Sequence, residues 1–354
     1  MRRQGKSRPI VVTGGCGFIG CNLADILLSD AENVILVDNL SRPGVEQNLS
    51  WLRQRHGSKA VAEIVDIRTV GAMNSIVKGA EAVFHLAAQT AVTRSLVDPI
   101  EDFEINARGT LNVLEAARAA GNIPVIFAST NKVYGDLADI ETSDADGRCM
   151  PTDGSLRARG IQESRPLDFS TPYGCSKGVA DQYILDYAKS FGMRTAVLRM
   201  SCIYGPRQFG NEDQGWVAHF LIRALAGQPI TIFGDGRQVR DLLYVADAVA
   251  AYRALLADID RLQGRAFNLG GGPDNAVSLN LVLEAIGAIT GRQPDIRHAE
   301  PRTGDQRYFV ADTSRLREAT GWRPMTGWRE GVEKLAEWLG AHQRGEAEPE
   351  RFVA

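Results

Sequence analysis

The sequence predicts an α/β protein in which a doubly wound parallel sheet carries a smaller C-terminal lobe, and three observations predict it. Six short β-branched runs alternate with helical patterns through the first 200 residues. A glycine-rich turn stands between the first run and the first helix. After Gly205 the composition turns polar before strands and helices resume. Strands alternating with helices imply crossovers that cover both faces of a parallel sheet. At 354 residues, 44% hydrophobic and 23% charged, the chain exceeds what one core organises, so a second lobe is expected.

The predicted strands lie at residues 9–13, 33–37, 60–65, 82–86, 123–129 and 194–198. Helical periodicity falls at 21–28, 71–77, 105–120 and 177–190. Residues 136–170, with little periodicity, read as a long excursion between a strand and the helix that follows Tyr173. Further on, helices are expected at 216–226, 247–256, 279–290 and 314–320, and strands at 230–233 and 266–269. From His342 the chain is polar and charged and is expected to fray.

Composition narrows the function classes. A formal net charge of -3 gives no basic excess for nucleic acid. No run of 18 apolar residues occurs, so no membrane span is expected. Five cysteines (Cys16, Cys21, Cys149, Cys175 and Cys202) form no Cys-x-x-Cys pair and suggest free thiols in a reducing, cytoplasmic compartment. No metal site is expected.

Gly14-x-x-Gly17-x-x-Gly20 follows the first strand and opens the first helix, with Phe18 and Ile19 inside the motif. Glycines there permit a tight turn and close backbone approach to a pyrophosphate, which the helix N-terminus then binds. This is the mark of a Rossmann-type dinucleotide site. Asp38, followed by Asn39, ends the second strand, where a carboxylate accepts from ribose hydroxyls and repels a 2′-phosphate. NAD is therefore the expected cofactor, although nearby Arg42 leaves NADP open. Asp66 and Ile67 end the third strand, where an adenine can rest, or they form an ordinary turn.

Tyr173 and Lys177 stand four residues apart, on one face of a helix. A neighbouring ammonium and a cationic cofactor ring favour phenolate, so Tyr173 is expected to titrate low and exchange a proton with a hydroxyl. A packing tyrosine with a solvated lysine has the same spacing. Thr130, just past an apolar strand, can hydrogen-bond the reacting oxygen or simply cap a turn. Lys132 and Tyr134 are expected to face the cleft. Two separated arginines, Arg240 and Arg302, can clamp a diphosphate or make surface ion pairs.

The set Gly14–Gly20, Asp38, His85-Leu86-Ala87-Ala88, Asn106, Thr130, Tyr173 and Lys177 resembles the extended short-chain dehydrogenase/reductase family, in its nucleotide-sugar epimerase and dehydratase group. The resemblance covers about residues 9–340. It implies a Rossmann domain over mainly 9–200 and a substrate lobe over mainly 201–340, with about 237–270 returning to the first domain and 341–354 a polar tail. It implies NAD held by Leu86, Ala87, Ala88 and Asn106 as well as by the glycine turn. It further implies that Tyr173 is the acid or base, Lys177 its partner on the nicotinamide ribose, and Thr130 the orienting hydroxyl. The acidic residue that follows this threonine in 4,6-dehydratases is replaced by Asn131 and Lys132, which argues against water elimination.

Thr130–Asp136, Arg207-Gln208-Phe209, Asp213-Gln214-Gly215-Trp216 and Asp305-Gln306-Arg307 resemble the branch that inverts C2 of CDP-linked dideoxyhexoses. That branch implies substrate contacts from Thr130, Lys132, Tyr134, Cys202, Arg207, Gln208, Gln214, Arg240, Arg302 and Asp305. It implies a tightly bound NAD regenerated at each turnover, a nucleotide-diphosphate sugar as partner, and a homodimer or homotetramer. A C4-epimerase, a UDP- or GDP-linked substrate, a net dehydrogenase or reductase, and a cofactor-binding protein without catalysis stay open.

Overall fold

A computed structural model describes residues 8–346. The chain begins β1 (Ile10–Thr13), α1 (Phe18–Ser29), β2 (Val34–Asp38), α2 (Val45–His56), β3 (Ala60–Ile64), α3 (Val70–Val77), β4 (Ala82–His85), α4 (Val92–Val97) and α5 (Pro99–Phe103). It continues through α6 (Gly109–Ala119), β5 (Val125–Thr130), β6 (Thr142–Ala145), β7 (Arg148–Pro151), α7 (Gly154–Arg159), α8 (Thr171–Phe191), β8 (Thr195–Met200) and β9 (Cys202–Tyr204). There follow α9 (Trp216–Leu225), β10 (Ile230–Phe233), β11 (Val239–Tyr244), α10 (Val245–Ala257), α11 (Ile259–Leu262), β12 (Arg265–Leu269) and β13 (Ala276–Ser278). The last elements are α12 (Leu279–Thr290), β14 (Ile296–Ala299), β15 (Tyr308–Phe309), α13 (Ser314–Thr320) and α14 (Trp328–Arg344).

The main sheet is parallel throughout, in the order β12-β8-β5-β4-β1-β2-β3. Its central strands are apolar on both faces. Ile10, Val12, Leu36, Phe84 and Ile126 face one core, shared with α1 and α10. Val11, Val37, Val83, Val125 and Phe127 face the other, shared with α3, α6 and α8. That two-sided burial explains why the strands read as continuous β-branched runs. Strand order reverses between β1 and β4, and a crevice opens there at the carboxyl ends of the strands.

A second core gathers Phe220, Leu221, Ile232, Leu283, Ile286, Leu335 and Trp338 from α9, β10, α12 and α14. Strand β11 joins the lobes, pairing with β9, β13 and β15. Strand β12 then returns to the main sheet beside β8.

The structure revises several expectations. The segment 136–170 is not a bare excursion: β6 and β7 form an antiparallel hairpin and α7 follows it, capped by the Asp153 side chain. Helix α8 starts at Thr171, with Pro172 in its first turn where a missing N–H costs nothing, so Tyr173 lies inside the helix. The helix expected at 105–120 begins at Pro99 and passes through a π-helical turn at Glu104–Arg108 before α6. Helix α14 runs on through His342 to Arg344, and the His342 ring stacks on Trp338 at 5.1 Å. The rest of the expected tail, 347–354, lies outside the described residues. Among the described residues no helix is long and apolar enough to cross a membrane.

One buried ion pair ties the sheet to α8. Arg199 of β8 donates from Nε and Nη2 to both oxygens of Asp181, each at 2.9 Å, with the two side chains 5% and 0% exposed. Removing one partner strands a charge in the core. Asp181→Ala should therefore lower unfolding free energy by about 3–5 kcal/mol, and the paired Asp181→Leu/Arg199→Met should recover much of that loss. Urea denaturation of the two variants checks this.

Candidate active site

The crevice is a cavity of about 1020 Å³ running from the glycine turn to the second lobe. At one end Gly14 has φ +67°, and a Cβ there would stand 2.8 Å from the Ala87 backbone nitrogen. A Cβ on Gly20 would lie 2.1 Å from the Gly14 carbonyl oxygen. The glycines thus let the β1–α1 turn close against itself and against the end of β4. No side chain caps α1 and no acid sits in its first turn, so its N–H groups point to an anion unopposed.

Asp38 accepts from Cys16 N at 3.0 Å and Leu40 N at 2.9 Å. Burial pushes its carboxyl up, and these backbone donors oppose the shift. Arg42 donates to Thr90 Oγ1 at 3.2 Å. Asp66 is held by Arg68 (2.8 and 2.9 Å) and Asn39 (2.9 Å), and its pKa is pulled down to about 2 by the Arg68 hydrogen bond first of all. Gly14, Gly17, Phe18, Ile19, Gly20, Asp38, Asn39, Asp66, Ile67, Leu86, Ala87 and Ala88 all line the cavity. Backbone room, free helix N–H groups and a carboxylate at the end of β2 suit a dinucleotide carrying an unphosphorylated ribose.

Asn106 stands behind the lining, at the π-helical turn. Its Oδ1 accepts from Gln89 N at 2.9 Å, and its Nδ2 donates to Gln89 O at 3.0 Å and Ser176 Oγ at 3.1 Å. Ser176 also donates to buried Asp102. His85 sits between Thr13 (2.7 Å) and Thr110 (2.9 Å). Because Thr110 donates to Asn106 O, its oxygen accepts from His85 Nε2–H, and Nδ1 accepts from Thr13. Burial first, then Lys177, pushes His85 down to about 3, so this ring is neutral architecture.

Thr130 ends β5 and Tyr173 lies in the first turn of α8; both line the cavity and share a hydrogen bond. Tyr173 is fixed through its backbone, which donates to Ser95 Oγ at 3.1 Å. The low tyrosine pKa expected from sequence is not a property of the chain. Burial pushes the phenol up to about 12; the Thr130 hydrogen bond opposes this and Asp102 adds to it. Lys177 is turned away from the lining. Its Nζ donates to the Ala128 carbonyl at 2.7 Å and lies 4.1 Å from the Phe127 ring centroid. Burial pushes this ammonium down to about 7, partly offset by Asp181 and Asp102.

The second lobe contributes Cys202, Gln208, Gln214, Arg240, Arg302 and Asp305 to the lining, opposite Lys132. Two residues expected in the cleft are elsewhere. The Tyr134 hydroxyl is buried, donating to Asn268 Oδ1 at 2.8 Å and accepting from Arg199 at 3.1 Å. The Arg207 guanidinium lies 3.4 Å from the Trp51 ring centroid, between the lobes and outside the lining. Both are packing residues that motif spacing alone does not separate from ligands. Sequence reading missed Thr93 and Phe233, which line the cavity. Among the described residues, Thr93 Oγ1 and Gln208 Oε1 are buried polar atoms with no hydrogen-bond partner, as a hydroxyl-rich ligand requires.

Comparison with known proteins agrees with this geometry. The family model described as "NAD dependent epimerase/dehydratase family" matches residues 10–270. The chain is 41% identical over 340 residues to CDP-paratose 2-epimerase of Salmonella typhi, covering 94% of this chain and 99% of the relative. The solved UDP-glucose 4-epimerase of Thermotoga maritima, with UDP-glucose, is similar at a TM-score of 0.81 and 32% identity, covering 95% and 99% of the two chains. The Thermus thermophilus UDP-glucose 4-epimerase complex with NAD superposes at a TM-score of 0.78, with 31% identity over 94% and 99%.

Closure of the glycine turn gives a direct test. Gly20→Ala should weaken NAD binding at least about 10-fold through overpacking, while Gly71→Ala, whose Cβ meets nothing within 4 Å, should leave it unchanged. NAD retained by the purified variants, and its dissociation constant by fluorescence, measure both.

Proposed function

The chain belongs to the NAD-dependent epimerase/dehydratase family, and from that premise we propose that it inverts C2 of CDP-paratose to give CDP-tyvelose. It is an enzyme that uses NAD on a nucleotide-diphosphate hexose. The C2 reading is carried by the likeness to the CDP-paratose enzyme along the whole chain. Asn131 and Lys132 after Thr130 support it, because neither supplies the carboxyl group suited to expelling water.

When bound, NAD supplies the hydride acceptor, the return of that hydride, and a positive ring charge. Tyr173 handles the proton. At neutral pH the resting phenol is protonated, because burial holds its pKa near 12; bound positive charge and the Thr130 hydrogen bond stabilise the phenolate. The phenolate takes the proton of the C2 hydroxyl as the C2–H bond breaks, leaving a 2-keto sugar. Thr130 steadies the C2 oxygen as charge develops on it. After the keto sugar turns its other face, the C2–H bond re-forms and Tyr173 returns the proton to the oxygen. Lys177, held by Ala128, fixes the cofactor side of the helix. Arg240 and Arg302 grip the diphosphate while the sugar reorients. Oxidation and reduction cancel, so the cofactor stays bound through turnover.

Proton NMR of a nucleotide-sugar panel tests the reading. CDP-paratose labelled with deuterium at C2 should give CDP-tyvelose with the label retained and without added NAD. Tyr173→Phe should lower kcat by about 10³-fold with NAD still bound. Inversion at C4, or turnover of UDP-glucose alone, favours the second reading, a 4-epimerase, for which the Thermotoga maritima likeness speaks.

We propose a homodimer as the assembly. Leu96, Val97, Ile100 and Phe103 of α4 and α5 are exposed on one stretch, with Val97 86% and Ile100 75% exposed. These helices pack beside α8, so an apolar face adjoins the catalytic helix. Sedimentation should give a dimer for the native protein and a monomer for Val97→Glu/Ile100→Glu.

A further inference from the structure

The segment 300–306 crosses the second-lobe side of the cleft between β14 and β15 and carries Arg302, Asp305 and Gln306. It has no regular structure, so side chains from elsewhere must set its position. Most of these come from the turn directly after Thr130. Lys132 Nζ donates to the Gly304 carbonyl at 2.9 Å and lies 3.9 Å from Asp305 Oδ1. Asn131 Nδ2 donates to Gln306 Oε1 at 3.2 Å, and Gln306 Nε2 donates to Gly135 O at 2.6 Å. Arg240 donates to the same Asp305 oxygen at 2.7 Å. Gly304, at φ +71°, approaches α8 so closely that a Cβ would stand 2.8 Å from Thr171 Cγ2. The segment is therefore fastened to both elements that carry the proton chemistry, the Thr130 turn and the start of the Tyr173 helix.

We propose that Lys132 is a positioning residue that holds segment 300–306 across the cleft, so that Arg302 and Arg240 are set to take the diphosphate. The proposal rests only on the substrate being a nucleotide-diphosphate sugar. Gln306 and Asn131 anchor the far end of the segment, but the ammonium alone reaches the Gly304 carbonyl between Arg302 and Asp305. It also draws on the Asp305 carboxylate, which otherwise belongs to Arg240. The Arg302 guanidinium is already stationed 3.8 Å from the Phe233 ring centroid, with Asp213 3.8 Å away. A shift of the Gly304 peptide moves that station directly.

The ammonium also gives this fastening a pH dependence. Burial pushes Lys132 down to about 8, Arg240 adds to the fall, and Asp305, Cys202 and Asp136 oppose it. The charge is full below that pH and is lost as pH rises through it.

The test uses full-length protein holding its NAD, with CDP and UDP as separate probes. In nucleotide-free protein, Lys132→Met should speed hydrogen exchange of amides 303–306 by about 10-fold while β5 and α8 are unchanged. Calorimetry should show the better-binding probe weakened by about 10-fold in Lys132→Met. Native protein should lose affinity as pH passes about 8, and Lys132→Arg, charged throughout, should bind as tightly as native below that pH and keep its affinity above it. Weakened binding with unchanged exchange means that Lys132 touches the diphosphate directly, and overturns the positioning role. Unchanged exchange and unchanged binding overturn it as well. Should Lys132→Met fail to fold, a Lys132→Arg profile that still falls through pH 8 is decisive against it. Each of these readings stands whether or not the sugar carbon inverted is C2.

Discussion

The Arg199–Asp181 pair is the constraint on which the site depends. Taking two charges out of water costs several kcal/mol each, and the pair repays that only when every remaining donor is used. Here they are used. Ser129 donates to the same Asp181 oxygen that receives Arg199 Nε, and the Arg199 Nη1 reaches Tyr134 Oη, which continues to Asn268. Asn268 in turn donates from its backbone nitrogen to Glu163 Oε1 and from Nδ2 to the Ile161 carbonyl. The network spans β5, α8, β8, β12 and the loop before α8. Ser129 immediately precedes Thr130, and Asp181 is one helical turn beyond Lys177 and two beyond Tyr173. One buried carboxylate therefore sets the relative height of the strand that presents the hydroxyl and the helix that presents the phenol.

The same burial decides the resting protonation states, in opposite directions. A phenol loses by ionising in a dry site and a lysine loses by staying charged, so Tyr173 moves up and Lys177 moves down. The chain alone thus provides a site in which neither charge is comfortable, and a bound cation or anion changes the balance strongly. Bound positive charge would stabilise the phenolate against that burial, so the proton equilibrium of Tyr173 responds to what occupies the cleft.

Much of the fold was legible because two-sided burial leaves a simple trace. Strands β1, β2, β4, β5 and β8 are apolar on both faces, so each shows as an unbroken β-branched run, and the ends differ from expectation by only one or two residues. Helices α2 and α14 carry a weaker trace. Val45, Leu49 and Leu52 are spaced for one helical face, as are Val332, Leu335, Ala336 and Leu339, with polar and charged residues between them. The hairpin in 142–151 was not legible, because its strands are four residues each and β7 finds its burial against Val239 and Tyr308, partners far away in sequence. Among the site residues, those that act through backbone geometry, such as Gly14 and Gly20, were fully readable, since sterics at a glycine depend little on context. Arg207 and Tyr134 were not. A charged or phenolic group near a motif is equally at home in a cleft or in a packed network, and only the fold reveals which aromatic ring or carboxylate stands opposite it.

That distinction bears on how substrate choice is built. The glycine-turn end of the cleft is shaped by main chain packed tightly at the carboxyl ends of β1, β2 and β4, so little can shift there without a clash. The second-lobe end is lined by side chains from several separate places, among them the turn after β5, the start of α8, strands β9 and β11, the stretch before α9, and segment 300–306. Segment 300–306 is joined to the turn after β5 and to β11 by polar contacts; Lys132, Arg240, Asp305 and Gln306 make most of them. Packed apolar cores resist small shifts, whereas hydrogen-bonded loops settle into new positions when one donor changes. The second-lobe side of the cleft is thus held by polar tethers, which makes it the more adjustable half. In this chain the tethers are fastened at Asn131 and Lys132, directly after Thr130, so a shift of segment 300–306 is transmitted to the end of β5.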